Sequence, residues 1–133
     1  MRAARVFISE ASFNVLQRRL HYDEAIVFLD FVEVLSPTRD HTRWARRIRE
    51  TSKLSREDAA MIALATFGSD SSGTIWGAHK LITYDLPMIN GYQKKRSRLE
   101  RRLQAMTAQL APPFDKATLP QLMTPDEVLK EWA

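Results

Sequence analysis

Asp58 and Asp85 are the residues of this chain whose types and surroundings could do chemistry. Several carboxylates converging on one point hold a hard cation such as Mg²⁺ or Mn²⁺, because such ions prefer oxygen ligands. A cation held there lowers the pKa of a bound water and neutralises charge on a phosphate, which is what phosphodiester hydrolysis needs. Two acids make a weak metal site and three or four a usable one. Glu10 is the candidate third ligand, with Asn14 near it as a neutral ligand at best, while Glu57 reads as a solvent-facing first-turn acid. Each member of the pair also has a plainer reading. Asp58 stands three residues after Ser55, as in a capping box, and Asp85 precedes Leu86-Pro87, where an N-cap or Asx-turn residue would stand.

The elements that must position these acids can be read locally. Ser55 followed by Asp58 marks a helix start, and Ala59, Ile62, Ala63 and Thr66 recur at helical spacing. Leu81, Ile82, Thr83 and Tyr84 form a short β-prone run after Gly77, and Asp85 falls where it stops. One carboxylate is therefore expected at a helix start and the other at a strand end. Upstream, Val32, Val34 and Leu35 read as a strand ended by Ser36-Pro37. A helix from Thr38 to Thr51 follows, capped by Thr38 or Asp40, with Trp44 and Ile48 on its buried face.

Positive charge is gathered rather than spread. One cluster is Arg39, Arg43, Arg46, Arg47 and Arg49, with Lys53 and Arg56 close behind; the other is Lys94, Lys95, Arg96, Arg98, Arg101 and Arg102. Such clusters fit a polyanion, since each cation that neutralises a phosphate releases counterions. They equally fit solvated helix faces. The Gly68 to Gly77 loop is polar and lacks the G-x-x-x-x-G-K-[ST] pattern of a phosphate-binding loop. Trp76 within it reads either as a base-stacking platform or as a residue that closes the core.

Composition bounds the rest. With 133 residues, 44% hydrophobic and 27% charged, the chain suits one globular domain with a real core. The absence of cysteine excludes disulfides, thiolate catalysis and cysteine-based zinc sites, and His21, His41 and His79 are too scattered for a metal motif. Net charge is +4 and the isoelectric point about 9.7. The brief VFISEASF run is too short and polar for a secretory signal, and no apolar segment approaches a membrane span, so a cytoplasmic protein is expected.

Beyond Asp85, Leu86-Pro87 and Asn90-Gly91 read as turns, with a long helix expected from about Tyr92 to Leu110 and stopped by Pro112-Pro113. Leu99, Leu103, Met106 and Leu110 form a narrow apolar stripe that suits packing on another helix, in a helical hairpin or a homodimer contact. The tail carries a strong helix start, with Thr124 as N-cap, Pro125 at N1 and Glu127 at N3.

The order of these pieces is also a resemblance. A helix opening S-x-x-D-A, followed by a strand reading L-I-T-x-D and a closing LMTPDEVL, resembles the PIN domain family of metal-dependent ribonucleases. The resemblance covers roughly residues 6–90 and 119–131. It implies a three-layer α/β fold, a short and mostly parallel sheet flanked by helices, with 119–133 as the closing strand and helix of a single domain; residues 86–118 depart from the family's compact pattern as a long helical insertion. It further implies that Asp58 and Asp85, with Glu10, bind Mg²⁺ or Mn²⁺ and act catalytically on RNA. Arg43, Arg46, Arg47, Lys94, Lys95, Arg98 and Arg102 would then hold the strand. Many members of the family are toxins, so the resemblance also suggests a small antitoxin partner.

Residues 5–20 admit two readings against this family. In one, Arg5 to Ile8 is the opening strand and Glu10 replaces the family's first Asp. In the other, Ser9 caps a helix resembling the family's middle vS-x-x-x-x-x-Evl segment, and the opening Asp-bearing strand is missing. The short spacing from Glu10 to the next strand favours the second. An active enzyme would then draw its third carboxylate from Glu10, from a second subunit or from residues upstream of Met1. The competing reading is a non-catalytic module that binds RNA or a protein partner.

Overall fold

The computed structural model describes residues 6–9, 14, 18, 21, 33–70, 72–73 and 77–132. The described elements run β1 (Phe7–Ser9), β2 (Glu33–Leu35), α1 (His41–Thr51), α2 (Arg56–Phe67), β3 (Lys80–Ile82), α3 (Leu86–Thr107), a 3₁₀ turn (Phe114–Lys116), β4 (Gln121–Met123) and α4 (Pro125–Trp132). The chain is thus mixed α/β. The described strands sort into two separate parallel pairs. Ser9 stands opposite Leu35 in the first pair, and Ile82 opposite Met123 in the second. Parallel pairing demands a long crossover, and the second pair is joined through the whole of α3.

The helix α2 is the centre of the molecule. Ala59, Ile62, Ala63, Leu64, Ala65, Thr66 and Phe67 are all buried, so its second half is covered on every side. Helix α1 packs along it, with Trp44 and Ile48 fully buried as their spacing requires. The Trp44 indole N–H donates to Thr66 Oγ1 at 3.2 Å, and Thr66 in turn donates to the Ile62 carbonyl at 2.7 Å. The one polar edge of the tryptophan is therefore satisfied inside the core.

Helix α1 begins later than the sequence suggests, at His41, and neither candidate side chain caps it. Thr38 donates instead to the Phe67 carbonyl at 2.6 Å, tying the segment before α1 to the end of α2. Asp40 is buried, and its Oδ2 has no hydrogen-bond partner among the described residues.

Helix α3 departs most from expectation. It starts at Leu86, runs through Asn90-Gly91 without a turn, and ends at Thr107, ahead of the proline pair. Asp85 caps it by accepting from the Met88 N–H at 3.0 Å, and Pro87 sits in the first turn, where no intrahelical donor is needed. Gly91 lies inside the helix where it passes close to Leu54: a Cβ at Gly91 would lie 3.1 Å from Leu54 Cδ2. The Leu99, Leu103 and Met106 stripe is buried in the main core with Leu110 packed against it. That apolar face is therefore used within the chain and is not left for a homodimer contact.

The closing strand and helix form as expected. Thr124 and Glu127 make a reciprocal capping box, with Glu127 N donating to Thr124 Oγ1 at 3.3 Å and Thr124 N donating to Glu127 Oε1 at 3.2 Å. Among the described residues, no helix is long and apolar enough to cross a membrane.

Candidate active site and nucleic-acid interface

Asp58 enters the first turn of α2 because Ser55 caps that helix, its side chain accepting from the Asp58 N–H at 3.1 Å. The reciprocal half of the box is not made. Asp58 is half-buried, and its carboxylate has no hydrogen-bond partner among the described residues. Capping accounts for Ser55 and leaves the Asp58 oxygens uncommitted.

Asp85 is exposed and follows β3. Its Oδ1 is engaged by Met88 N, and its own N–H donates to Thr83 Oγ1 at 3.1 Å. The plain N-cap role is thus fulfilled, with Oδ2 still available.

Two contacts relate the segments on either side of Asp85 to α2. Ala78, just before β3, donates to the Ala65 carbonyl near the C-terminus of α2 at 2.8 Å. Farther along, Gly91 of α3 lies against Leu54, the residue before the Ser55 cap. The strand end preceding Glu10 lies elsewhere. Ser9 pairs with Leu35, whose side chain crowds Gly68 at the C-terminal end of α2, about 15 Å from the Asp58 turn by helix rise. Glu10 itself is outside the described residues, as is Trp76; Asn14 is described, helical and exposed. Among the described residues no group of three acidic, histidine or cysteine side chains could hold a metal ion.

The two basic clusters come together. Helices α1 and α3 pack side by side, and Arg102 spans them, its Nη1 donating to Thr51 Oγ1 at 2.8 Å and its Nη2 to Glu50 at 3.1 Å. With side chains 38% and 52% exposed, this ion pair contributes about 0–1 kcal/mol to stability. On α3, Lys94, Arg98 and Arg102 repeat at four-residue spacing along one face. On α1, Arg43 and Arg47 lead by the same step to Thr51, while Arg46 is exposed one position round. Arg43, Arg46, Arg47, Lys94, Lys95 and Arg98 have no ion-pair partner among the described residues.

Two other members of the clusters are structural. Arg96 lies 5.8 Å from the Tyr92 ring centroid and pairs with Glu100 at 3.4 Å, and Arg39 lies 5.5 Å from the Phe114 ring centroid. Sequence reasoning did not single out Glu50 and Thr51. Their ties to Arg102 span 51 and 52 residues, and no local pattern carries contacts of that range.

No family model matches the chain, and neither a curated protein nor a solved structure is significantly similar to it.

Proposed function

We infer that this chain is a PIN-like domain acting on RNA as a metal-dependent ribonuclease. The observation that carries the reading is the Asp58 carboxylate, half-buried at the start of the central helix and released from the capping role that its position suggested. Asp85, the N-cap of α3, is the second acid, and its Oδ2 has no hydrogen-bond partner among the described residues. Mg²⁺ takes oxygen ligands and keeps waters and substrate phosphates in its shell, so these carboxylates are the right type of donor, and two of them alone make a weak site. Asp58 and Asp85 would hold Mg²⁺ or Mn²⁺, and the ion when bound would neutralise phosphate charge and acidify a water. The arginines and lysines of α1 and α3 would hold the RNA backbone. A third carboxylate, from Glu10 or from another subunit, would strengthen the site.

A second reading is favoured by two observations. No third acid joins the pair among the described residues, and β1 ends toward the opposite end of α2. In that reading the basic face is the functional part and the domain binds RNA without cutting it. The deciding experiment is Mn²⁺-dependent cleavage of an unstructured RNA by the unaltered chain, beside Asp58→Asn and Asp85→Asn. Cleavage that both substitutions abolish supports the nuclease; binding without cleavage gives the second reading its place. An antitoxin partner, proposed from the family resemblance, would be tested by co-purification with the product of an adjacent gene.

A further inference from the structure

A shallow cleft of about 310 Å³ lies where the end of α1 meets the middle of α3, lined by Glu50, Thr51, Arg98, Arg101 and Arg102. Three of its five walls are guanidinium groups, and their spacing on α3 puts them on one face. Arg98 and Arg101 are exposed and have no ion-pair partner among the described residues. Arg102 differs. Thr51 Oγ1 holds one of its terminal nitrogens at 2.8 Å, so the guanidinium is fixed in direction before any ligand arrives. The other terminal nitrogen is covered by Glu50 at 3.1 Å. Glu50 therefore presents a carboxylate where an anionic ligand would present its own oxygens.

We propose that this cleft seats one backbone phosphate of a single-stranded RNA, contacted by Arg98 and Arg101, and that Glu50 is the resident anion which yields Arg102 to that phosphate. Guanidinium groups match phosphate oxygens through paired N–H donors, and Thr51 keeps Arg102 oriented during the exchange. The half-exposed pair with Glu50 is the weaker partner because water already competes for both groups. Glu50 thereby sets a threshold: weakly held anions leave the pair intact, and a phosphate on a strand anchored along the rest of the basic ridge displaces it. The choice of RNA rests on the ribonuclease reading; the phosphate seat does not.

The test is fluorescence polarisation of a labelled, unstructured single-stranded RNA, and of DNA of the same sequence, titrated with the full chain in EDTA across a range of KCl. Arg98→Ala/Arg101→Ala should weaken RNA binding about tenfold and flatten the dependence of log K on log salt by about 0.7 for the lost phosphate. Glu50→Gln should tighten binding about threefold. Circular dichroism melts of the same samples confirm that each variant is folded. A double variant within twofold of the unaltered chain, or a Glu50→Gln variant with unchanged affinity, overturns the seat. DNA bound as tightly as RNA overturns the assignment to RNA. Because EDTA removes any metal, an absence of binding defeats this inference while leaving Mn²⁺-dependent cleavage to be judged separately, and retained binding without cleavage defeats the nuclease alone.

Discussion

Ser55 Oγ accepts a hydrogen bond from the Asp58 backbone N–H, but the Ser55 backbone N–H donates none to the Asp58 carboxylate. At the start of α4 the corresponding pair, Thr124 and Glu127, bonds in both directions. The same sequence pattern thus serves two ends, and only the second is fully accounted for by helix capping.

The difference separates stability from function at Asp58. Ser55→Ala should lower the unfolding free energy by about 1 kcal/mol through loss of the cap. Asp58→Asn should cost at most about 0.3–1 kcal/mol, the interaction of a first-turn acid with the helix dipole. Urea denaturation measures both, and the ribonuclease reading expects Asp58→Asn to remove cleavage from a protein that is nearly as stable as before. A larger loss of stability in Asp58→Asn than in Ser55→Ala would mean that the carboxylate is structural after all.

At Asp85 two substitutions pull apart. Asn caps a helix about as well as Asp, so Asp85→Asn should hold stability within about 0.5 kcal/mol, whereas Asp85→Ala should lose about 1 kcal/mol. Loss of cleavage in the asparagine variant, with its melting temperature unchanged, would assign the carboxylate a role that the N-cap does not need.

Tyr92 predicts an alkaline limit to stability. Burial pushes its phenol well above the ordinary range, with Arg96 opposing and Glu100 adding to the shift, and its hydroxyl donates to the Pro120 carbonyl at 2.5 Å. Because the folded pKa is raised, the contribution is complete below about pH 10, where the unfolded phenol is also neutral. It is lost as pH rises further, since only the unfolded state then gives up its proton. Urea midpoints should fall from pH 9 to pH 11 in the unaltered chain. In Tyr92→Phe the fall should be smaller, from a starting stability about 1–2 kcal/mol lower because the buried carbonyl loses its principal donor.

Two glycines should respond oppositely to alanine. At Gly91, mid-helix, the new Cβ would meet only the end of the half-buried Leu54 side chain at 3.1 Å, which can shift, while the helix gains about 0.8–1.0 kcal/mol of propensity. A net gain in melting temperature is expected. At Gly68 the Cβ would fall 2.5 Å from the Leu64 carbonyl oxygen and 2.6 Å from Leu35 Cγ, so overpacking should cost about 1–3 kcal/mol or more. Thermal denaturation of both variants decides the matter, and a destabilised Gly91→Ala would show that Leu54 cannot move.

Where local chemistry decided the outcome, the sequence was legible. The Ser55 and Thr124 caps fixed the starts of α2 and α4, and the Trp44 and Ile48 spacing marked the buried face of α1. The start of α3 was misread because Pro87 and Gly91 are turn residues in isolation. Pro87 was absorbed into a first turn and Gly91 into a close contact with Leu54, and that contact is tertiary. The fate of the Leu99 to Leu110 stripe was also beyond local reading, since periodicity marks an apolar face without saying what covers it. For the candidate site, Asp58 and Asp85 could be marked by their places in helix and strand. The third ligand could not, because convergence of carboxylates depends on which strand ends share an edge.

The division of the strands into two pairs bears on how the molecule opens. Among the described residues, Leu81 and Leu122 tie β3 and β4 into the main core cluster, whereas no residue of β1 or β2 belongs to it. Leu35 packs on Gly68, and the Ser36–Ser69 bridge joins the segment after β2 to the segment after α2. Amide hydrogens of β1 and β2 should therefore exchange with solvent through a local opening that leaves α1, α2 and α3 packed, while those at the centre of α2 wait for the whole core to unfold.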